Sequence, residues 1–207
     1  MLKVLRPGLA RLLTPVGRAL ARTPLTPNMI TVIGTVGVSG AALGLFPTGH
    51  LFAGAAVCTV FVFSDMLDGA LARVTGSSGP FGAFLDSTMD RIADAAVFGG
   101  IAIWLATGGH DRLLAGVALF CLVVGGLVSY AKARAEGLGL RCDVGIAERT
   151  ERLIIGLTAI GLSGLGVPYV LSAGLWILAV LSAITFGQRI HAARRSAGSS
   201  GSGGAAD

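Results

Sequence analysis

Between Thr23 and Ser64 the chain carries no Asp, Glu, Lys or Arg over 42 consecutive residues. A helix needs roughly 20 apolar residues to cross a bilayer. The run therefore holds two spanning helices and a turn, marked by Phe46-Pro47-Thr48-Gly49-His50. Further charge-free runs are Ala95–His110, Leu113–Ala131 and Leu153–Gln188, the last broken near Gly164-Leu165-Gly166-Val167-Pro168. The pattern predicts an all-α polytopic membrane fold with six transmembrane helices, at about 29–46, 51–72, 83–106, 113–135, 150–165 and 169–188. Composition agrees: 53% of the residues are hydrophobic and 13% charged, against about 25% charged in soluble domains. That balance excludes a disordered chain and a soluble enzyme with a large wet surface. Three cysteines exclude a disulfide scaffold.

The basic residues give an orientation. Of the 16 Lys and Arg, 14 fall in segments that six spans place on one side. These are Lys3, Arg6, Arg11, Arg18 and Arg22 before span one, Arg73 after span two, Lys132, Arg134, Arg141, Arg149 and Arg152 between spans four and five, and Arg189, Arg194 and Arg195 at the end. Arg112 lies on the other side and Arg91 within span three. Excess Lys and Arg marks the cytoplasm, so both termini are expected there, in the cell membrane. Residues 2–22 read as a juxtamembrane amphipathic helix in the interface, with Arg11, Arg18 and Arg22 on one face. Residues 1–195 read as a single membrane domain, and 196–207, rich in Ser, Gly and Ala, as a disordered tail. Gly40 and Gly44 form a Gly-x3-Gly that permits close helix contact within or between subunits.

Ionisable residues beside such apolar segments are costly and point to function. Asp65 and Asp68 are spaced i, i+3 at the end of span two, and Asp86 and Asp90 i, i+4 at the start of span three. Each pair shares a helix face, and a short Gly-rich turn joins the two helices. Four neighbouring carboxylates cannot all stay ionised without cations. Oxygen ligands suit Mg²⁺ or Mn²⁺, and two such ions serve phosphoryl chemistry. Aspartates at a helix start also suit its dipole, but paired spacing on two helices goes beyond that. Asp94 lies one turn deeper and is left out of the metal set, as a residue that holds a neighbour in place. Asn28 suits a helix N-cap.

A second polar cluster lies at the same level: Lys132, Arg134 and Glu136 ending span four, Glu148 to Arg152 opening span five, and Arg189 ending span six. A basic pocket beside an anionic site suits an acceptor that itself carries phosphate. Positive-inside topology and contact with anionic lipid explain Arg194 and Arg195. The residues alone reach no further than a phosphorylated polyol.

The motif Asp65-x2-Asp68-Gly69-x2-Ala72-Arg73-x8-Gly82-x3-Asp86-x3-Asp90 resembles the signature of the CDP-alcohol phosphotransferases. The resemblance implies a six-helix membrane enzyme, usually a homodimer, in which an acceptor hydroxyl displaces CMP from a CDP-linked lipid with two Mg²⁺, or Mn²⁺. By position, Asp65, Asp68 and Asp86 hold the metal pair, and Asp90 touches the second metal and acts as general base. CDP-diacylglycerol is contacted by Gly69, Arg73 and the segment Asn28, Met29, Ile30 and Thr31. Gly79 stands where relatives often carry a hydroxyl residue. The run Lys-Ala-Arg-Ala-Glu, followed by Glu-Arg-x-Glu-Arg-Leu, is similar to the actinobacterial phosphatidylinositol phosphate synthases. That similarity implies 1D-myo-inositol 3-phosphate as acceptor, held by Lys132, Arg134, Arg152 and Arg189. Glycerol 3-phosphate, the acceptor of phosphatidylglycerophosphate synthases, fits a basic pocket as well. A membrane prenyltransferase would carry its aspartate motifs on well-separated helices, and a metal-ion transporter would place carboxylates near mid-membrane.

Overall fold

The computed structural model describes residues 21–76 and 79–201 together with Pro15 and Ala19; the side chains of 64–66, 68, 73 and 199–201 are outside the description. Most of the expected 2–22 helix and residues 202–207 therefore lie outside the described residues. Among the described residues the chain is all-helical, with six helices: α1 Pro27–Leu45, α2 Leu51–Thr75, α3 Pro80–Thr107, α4 Arg112–Gly137, α5 Arg149–Gly164 and α6 Val170–Gly201.

Local chemistry sets the boundaries. Pro27 opens α1 and Thr26 caps it, its hydroxyl accepting from the Met29 N–H at 3.3 Å. Asn28, expected as the cap, lies inside the first turn, because proline is pre-shaped for the first helical position and leaves the cap to Thr26. Gly76 ends α2 in the left-handed region at φ 65°, a conformation that favours glycine. Pro80 opens α3 three residues earlier than the charge pattern suggests. Asp111 caps α4, accepting from Leu114 N–H at 2.9 Å. Helix α6 continues to Gly201 rather than stopping near 188. Between Gln188 and Gly201 there is no proline, and alanine and arginine favour helix, so helix enters the stretch whose composition suggests disorder.

Among the described residues, three helices are long and apolar enough to cross a membrane: Pro27–Leu45, Arg112–Gly137 and Val170–Gly198, with mean hydropathies of 1.5, 2.3 and 2.0. Large apolar side chains line the outside as well as the core, among them Val36, Val60, Val123 and Val180. A helix that is apolar all round belongs in a nonpolar surrounding.

The principal packing pairs are α1–α2, α2–α5, α5–α6, α6–α4, α4–α3 and α3–α1. They close a ring in the order α1, α2, α5, α6, α4, α3. Its core joins Phe46, Val97, Phe98, Ile101, Ile160 and Leu178. Consecutive helices run antiparallel, so the ends of α2, α4 and α6 meet the starts of α3 and α5 at one end of the bundle.

Close approach falls on glycines other than the Gly40/Gly44 pair, where an added Cβ meets nothing within 4 Å. At Gly100 on α3 a Cβ would lie 2.5 Å from the Ala42 carbonyl oxygen of α1, and at Gly174 on α6 it would lie 2.5 Å from the Ala159 Cβ of α5. The contact at Gly100 predicts opposite outcomes for adjacent positions. Gly99→Ala meets no atom within 4 Å and should leave thermal stability unchanged or raise it by about 0.5–1 kcal/mol through helix propensity. Gly100→Ala should lower it by about 1–3 kcal/mol through overpacking. Thermal melts of the two purified variants check this.

Candidate active site

At the end of the ring where α2, α4 and α6 finish lies a cavity of about 660 Å³. Helix α2 contributes Gly69; α3 contributes Asp86, Ser87, Asp90 and Arg91; α4 contributes Val128, Ser129, Lys132, Ala133 and Glu136. Glu148, Arg149, Thr150 and Arg152 come from the start of α5, and Arg189 comes from α6. The α3 carboxylates thus face cations from α4, α5 and α6 across one space.

Two of these cations are anchored deeply. Arg152 is 1% exposed. Its Nη2 donates to Asp94 Oδ2 at 3.0 Å and its Nη1 to the Ala147 carbonyl at 3.5 Å. The guanidinium lies against α4 where Gly125 leaves room: a Cβ there would stand 3.1 Å from Arg152 Nε. Arg189, also buried, donates through Nε to the Val144 carbonyl at 2.9 Å and through Nη1 to the Val128 carbonyl. It thereby pins the 138–148 connection to α4. Gly145 takes φ 149° beside Thr185, where a Cβ would come within 2.7 Å of Thr185 Cγ2. Thr185 Oγ1 accepts the Ala147 N–H at 3.0 Å. Arg141 N–H donates to Ser196 Oγ at 3.0 Å, so the helical extension of α6 fastens the same connection.

Two other cations pair at the cavity surface. Lys132 Nζ lies 3.0 Å from Asp143 Oδ1 and 3.8 Å from Glu136 Oε1. Arg149 bridges two acids, with Nη1 2.7 Å from Asp90 Oδ1 and Nε 3.3 Å from Asp94 Oδ1. Asp94 thus accepts from Arg149 on one oxygen and Arg152 on the other, which is the positioning role its depth suggests. Arg91 completes the cluster at 3.8 Å from Asp90 and 3.7 Å from Asp94.

Of the expected acceptor contacts, Lys132, Arg152 and Arg189 line the cavity; Arg134 is exposed and does not. Arg149, which the sequence leaves open between cavity and surface, lines it. Asp86 and Asp90 line it one turn apart. Position 65 lies one turn before Gly69 on α2, so the backbone brings the first motif helix to the same cavity; the side chains of Asp65, Asp68 and Arg73 are outside the description. Among the described residues no group of three or more His, Cys, Asp or Glu forms a ligand set. The described part of the expected set, Asp86 and Asp90, supplies hard oxygen donors, and that chemistry fits Mg²⁺ or Mn²⁺. Asn28 approaches α3, its Oδ1 lying 3.5 Å from where a Cβ on Gly82 would be. Ile30 and Thr31 are buried, with Thr31 Oγ1 donating to the Pro27 carbonyl at 3.1 Å. Met29 and Gly79 are exposed.

A buried pair broken on one side leaves an uncompensated charge, at a cost of about 3–5 kcal/mol. Asp94→Ala should therefore destabilise the protein by about that much. Asp94→Leu combined with Arg152→Met should recover most of the loss. Denaturation of the single and double variants measures both.

The chain matches the CDP-alcohol phosphatidyltransferase family model over residues 24–187. It is 51% identical over 189 residues to a phosphatidylinositol phosphate synthase of Mycobacterium tuberculosis, covering 90% of this chain and 87% of that protein. It is 46% identical over 200 residues to one of Streptomyces avermitilis, covering 93% of this chain and 82% of the relative. The crystal structure of the Mycobacterium tuberculosis synthase with CDP-DAG bound superposes with a TM-score of 0.84 at 51% identity, over 88% of this chain and 94% of that one. Its complex with manganese and citrate gives 0.86 at 51% identity, over 89% and 90%. With the family model spanning most of the chain and relatives at half identity aligned nearly end to end, the chain belongs to the CDP-alcohol phosphatidyltransferase family.

Proposed function

We propose that the protein transfers the phosphatidyl group of CDP-diacylglycerol to 1D-myo-inositol 3-phosphate, releasing CMP. The observation that carries this reading is the cavity that sets Asp86 and Asp90 opposite Lys132, Arg149, Arg152 and Arg189. An acceptor carrying both a hydroxyl and a phosphate answers to both walls. Half-identical relatives over nearly the whole chain, named for this synthesis, support the same acceptor.

In this reading Asp65, Asp68, Asp86 and Asp90 hold the divalent cations, which when bound neutralise the diphosphate and favour attack at phosphorus. Asp90 accepts the proton of the acceptor hydroxyl as the new P–O bond forms and the bond to CMP breaks. Gly69 lets the nucleotide approach the α2 backbone, and Arg73 pairs with the diphosphate. The Asn28–Thr31 segment and Gly79 complete the nucleotide side. Lys132, Arg152 and Arg189 orient the acceptor phosphate, and Arg134 attracts it from outside the cavity.

In this reading the chain is one membrane domain of six transmembrane helices, in the cell membrane as a homodimer. Both termini and the cavity face the cytoplasm, as the distribution of Lys and Arg supports. Helix α5, with 16 residues, takes its place in the ring between the longer α2 and α6.

Purified protein given CDP-diacylglycerol and Mg²⁺ should release CMP on addition of inositol 3-phosphate, and not on addition of free inositol or glycerol 3-phosphate. Asp86→Ala should lower that rate by about 10²-fold or more. Release with glycerol 3-phosphate instead would reassign the acceptor. For the topology, a fluorescent protein fused after Asp207 should fluoresce, and a periplasmic phosphatase reporter inserted at His110 should be active.

A further inference from the structure

Among the cations of the cavity, Arg149 makes a closer contact with Asp90 than Arg91 does, 2.7 Å against 3.8 Å. Its position differs from that of its neighbours. Arg152 is held by Asp94 and the Ala147 carbonyl, and Arg189 by the carbonyls of Val144 and Val128. Arg149 is 20% exposed along its side chain, opens α5, and lies on the cavity surface. Its Nη1 is 2.7 Å from Asp90 Oδ1, a short charge-assisted contact. Its Nε is 3.3 Å from Asp94 Oδ1. An oxygen of Asp90 engaged by a guanidinium is not presenting that lone pair to a cation or a hydroxyl proton. A general base needs the reacting proton within hydrogen-bond reach.

Asp94 makes an exchange feasible. It tethers Arg149 through Nε, so the distal part of the guanidinium can turn without the side chain leaving the site. Asp94 itself is buried and held by Arg152. A phosphate entering between Lys132, Arg152 and Arg189 would offer Arg149 a second, more highly charged set of oxygens. Arginine meets phosphate and carboxylate with the same planar fork.

We propose that Arg149 is an exchangeable partner of Asp90: it pairs with Asp90 Oδ1 while the acceptor is absent, and moves to the acceptor's phosphate when it binds, withdrawing its guanidinium from that oxygen. The exchange makes and breaks no covalent bond. It rests on the reading of the acceptor as a phosphate-bearing alcohol, and it makes Arg149 a positioning residue that links acceptor recognition to the state of the carboxylate. A bare alcohol, lacking phosphate, would leave Asp90 paired.

Coupling of this kind is reciprocal and is typically worth about 5–150-fold. The test is Mn²⁺ binding to the full chain in detergent, read as loss of the free-ion signal in electron paramagnetic resonance, with no lipid substrate present. For the wild type, saturating inositol 3-phosphate should tighten Mn²⁺ binding by about tenfold, and free inositol should not. Arg149→Gln should bind Mn²⁺ about tenfold more tightly than wild type without acceptor, and gain less than about twofold from inositol 3-phosphate. Arg149→Lys keeps the charge but cannot span both acids; it should shift in the same direction by about threefold, and it decides the matter should Arg149→Gln not fold. Unchanged or weaker Mn²⁺ binding in the variants, or tightening by acceptor that survives the loss of Arg149, overturns the proposal. CMP release by the wild type is scored separately. Turnover with no coupling sinks the exchange alone, whereas no turnover with inositol 3-phosphate sinks the acceptor reading.

Discussion

Burying the Arg152 guanidinium is the constraint around which the site is organised. A charge taken out of water is costly unless geometry and hydrogen bonds compensate it. Here the compensation comes from a carboxylate of α3 and the Ala147 carbonyl just before α5, while Gly125 on α4 leaves the room the guanidinium occupies. Removing the carboxylate leaves the guanidinium buried without its counter-charge. The pair therefore fixes the relative positions of three helices at the depth where chemistry takes place. It contributes specificity of arrangement more than net stability.

The ring order explains how a chain of mostly sequential hairpins builds that arrangement. Helices α3 and α4 are neighbours in sequence and in space, but α2 packs on α5 and α4 on α6. The crossing partners bring the start of α5 and the end of α6 to the cavity opposite α3. An acidic wall and a basic wall result from two distant stretches of sequence, and Asp94 is the point at which they are joined.

Much of this was legible before any coordinate. Gaps between charges placed the helices to within a few residues, except at the end of α6, which runs on to Gly201, because apolar length is what a bilayer measures. The spacing of Asp86 and Asp90 put both on one face, and the depth of Asp94 suggested a tether. Packing partners were not legible, since helices apolar on every side do not reveal which face meets which neighbour. Gly40 and Gly44 match a pattern for contact within or between subunits, and within this chain close approach occurs at Gly100 and Gly174. Small residues permit contact without selecting the partner. Lys132 and Arg134 looked equivalent in sequence, but two residues on a helix turn it by more than half a circle, and only one faces the cavity.

The continuation of α6 has a mechanical consequence. From Gln188 to Gly201 the helix adds roughly 20 Å at 1.5 Å per residue. Its Ser196 is hydrogen-bonded to the connection above the basic wall. The rod therefore acts as a lever fixed to the rim of the cavity, and a load on its far end is felt first by the strap that Arg189 and Thr185 hold down.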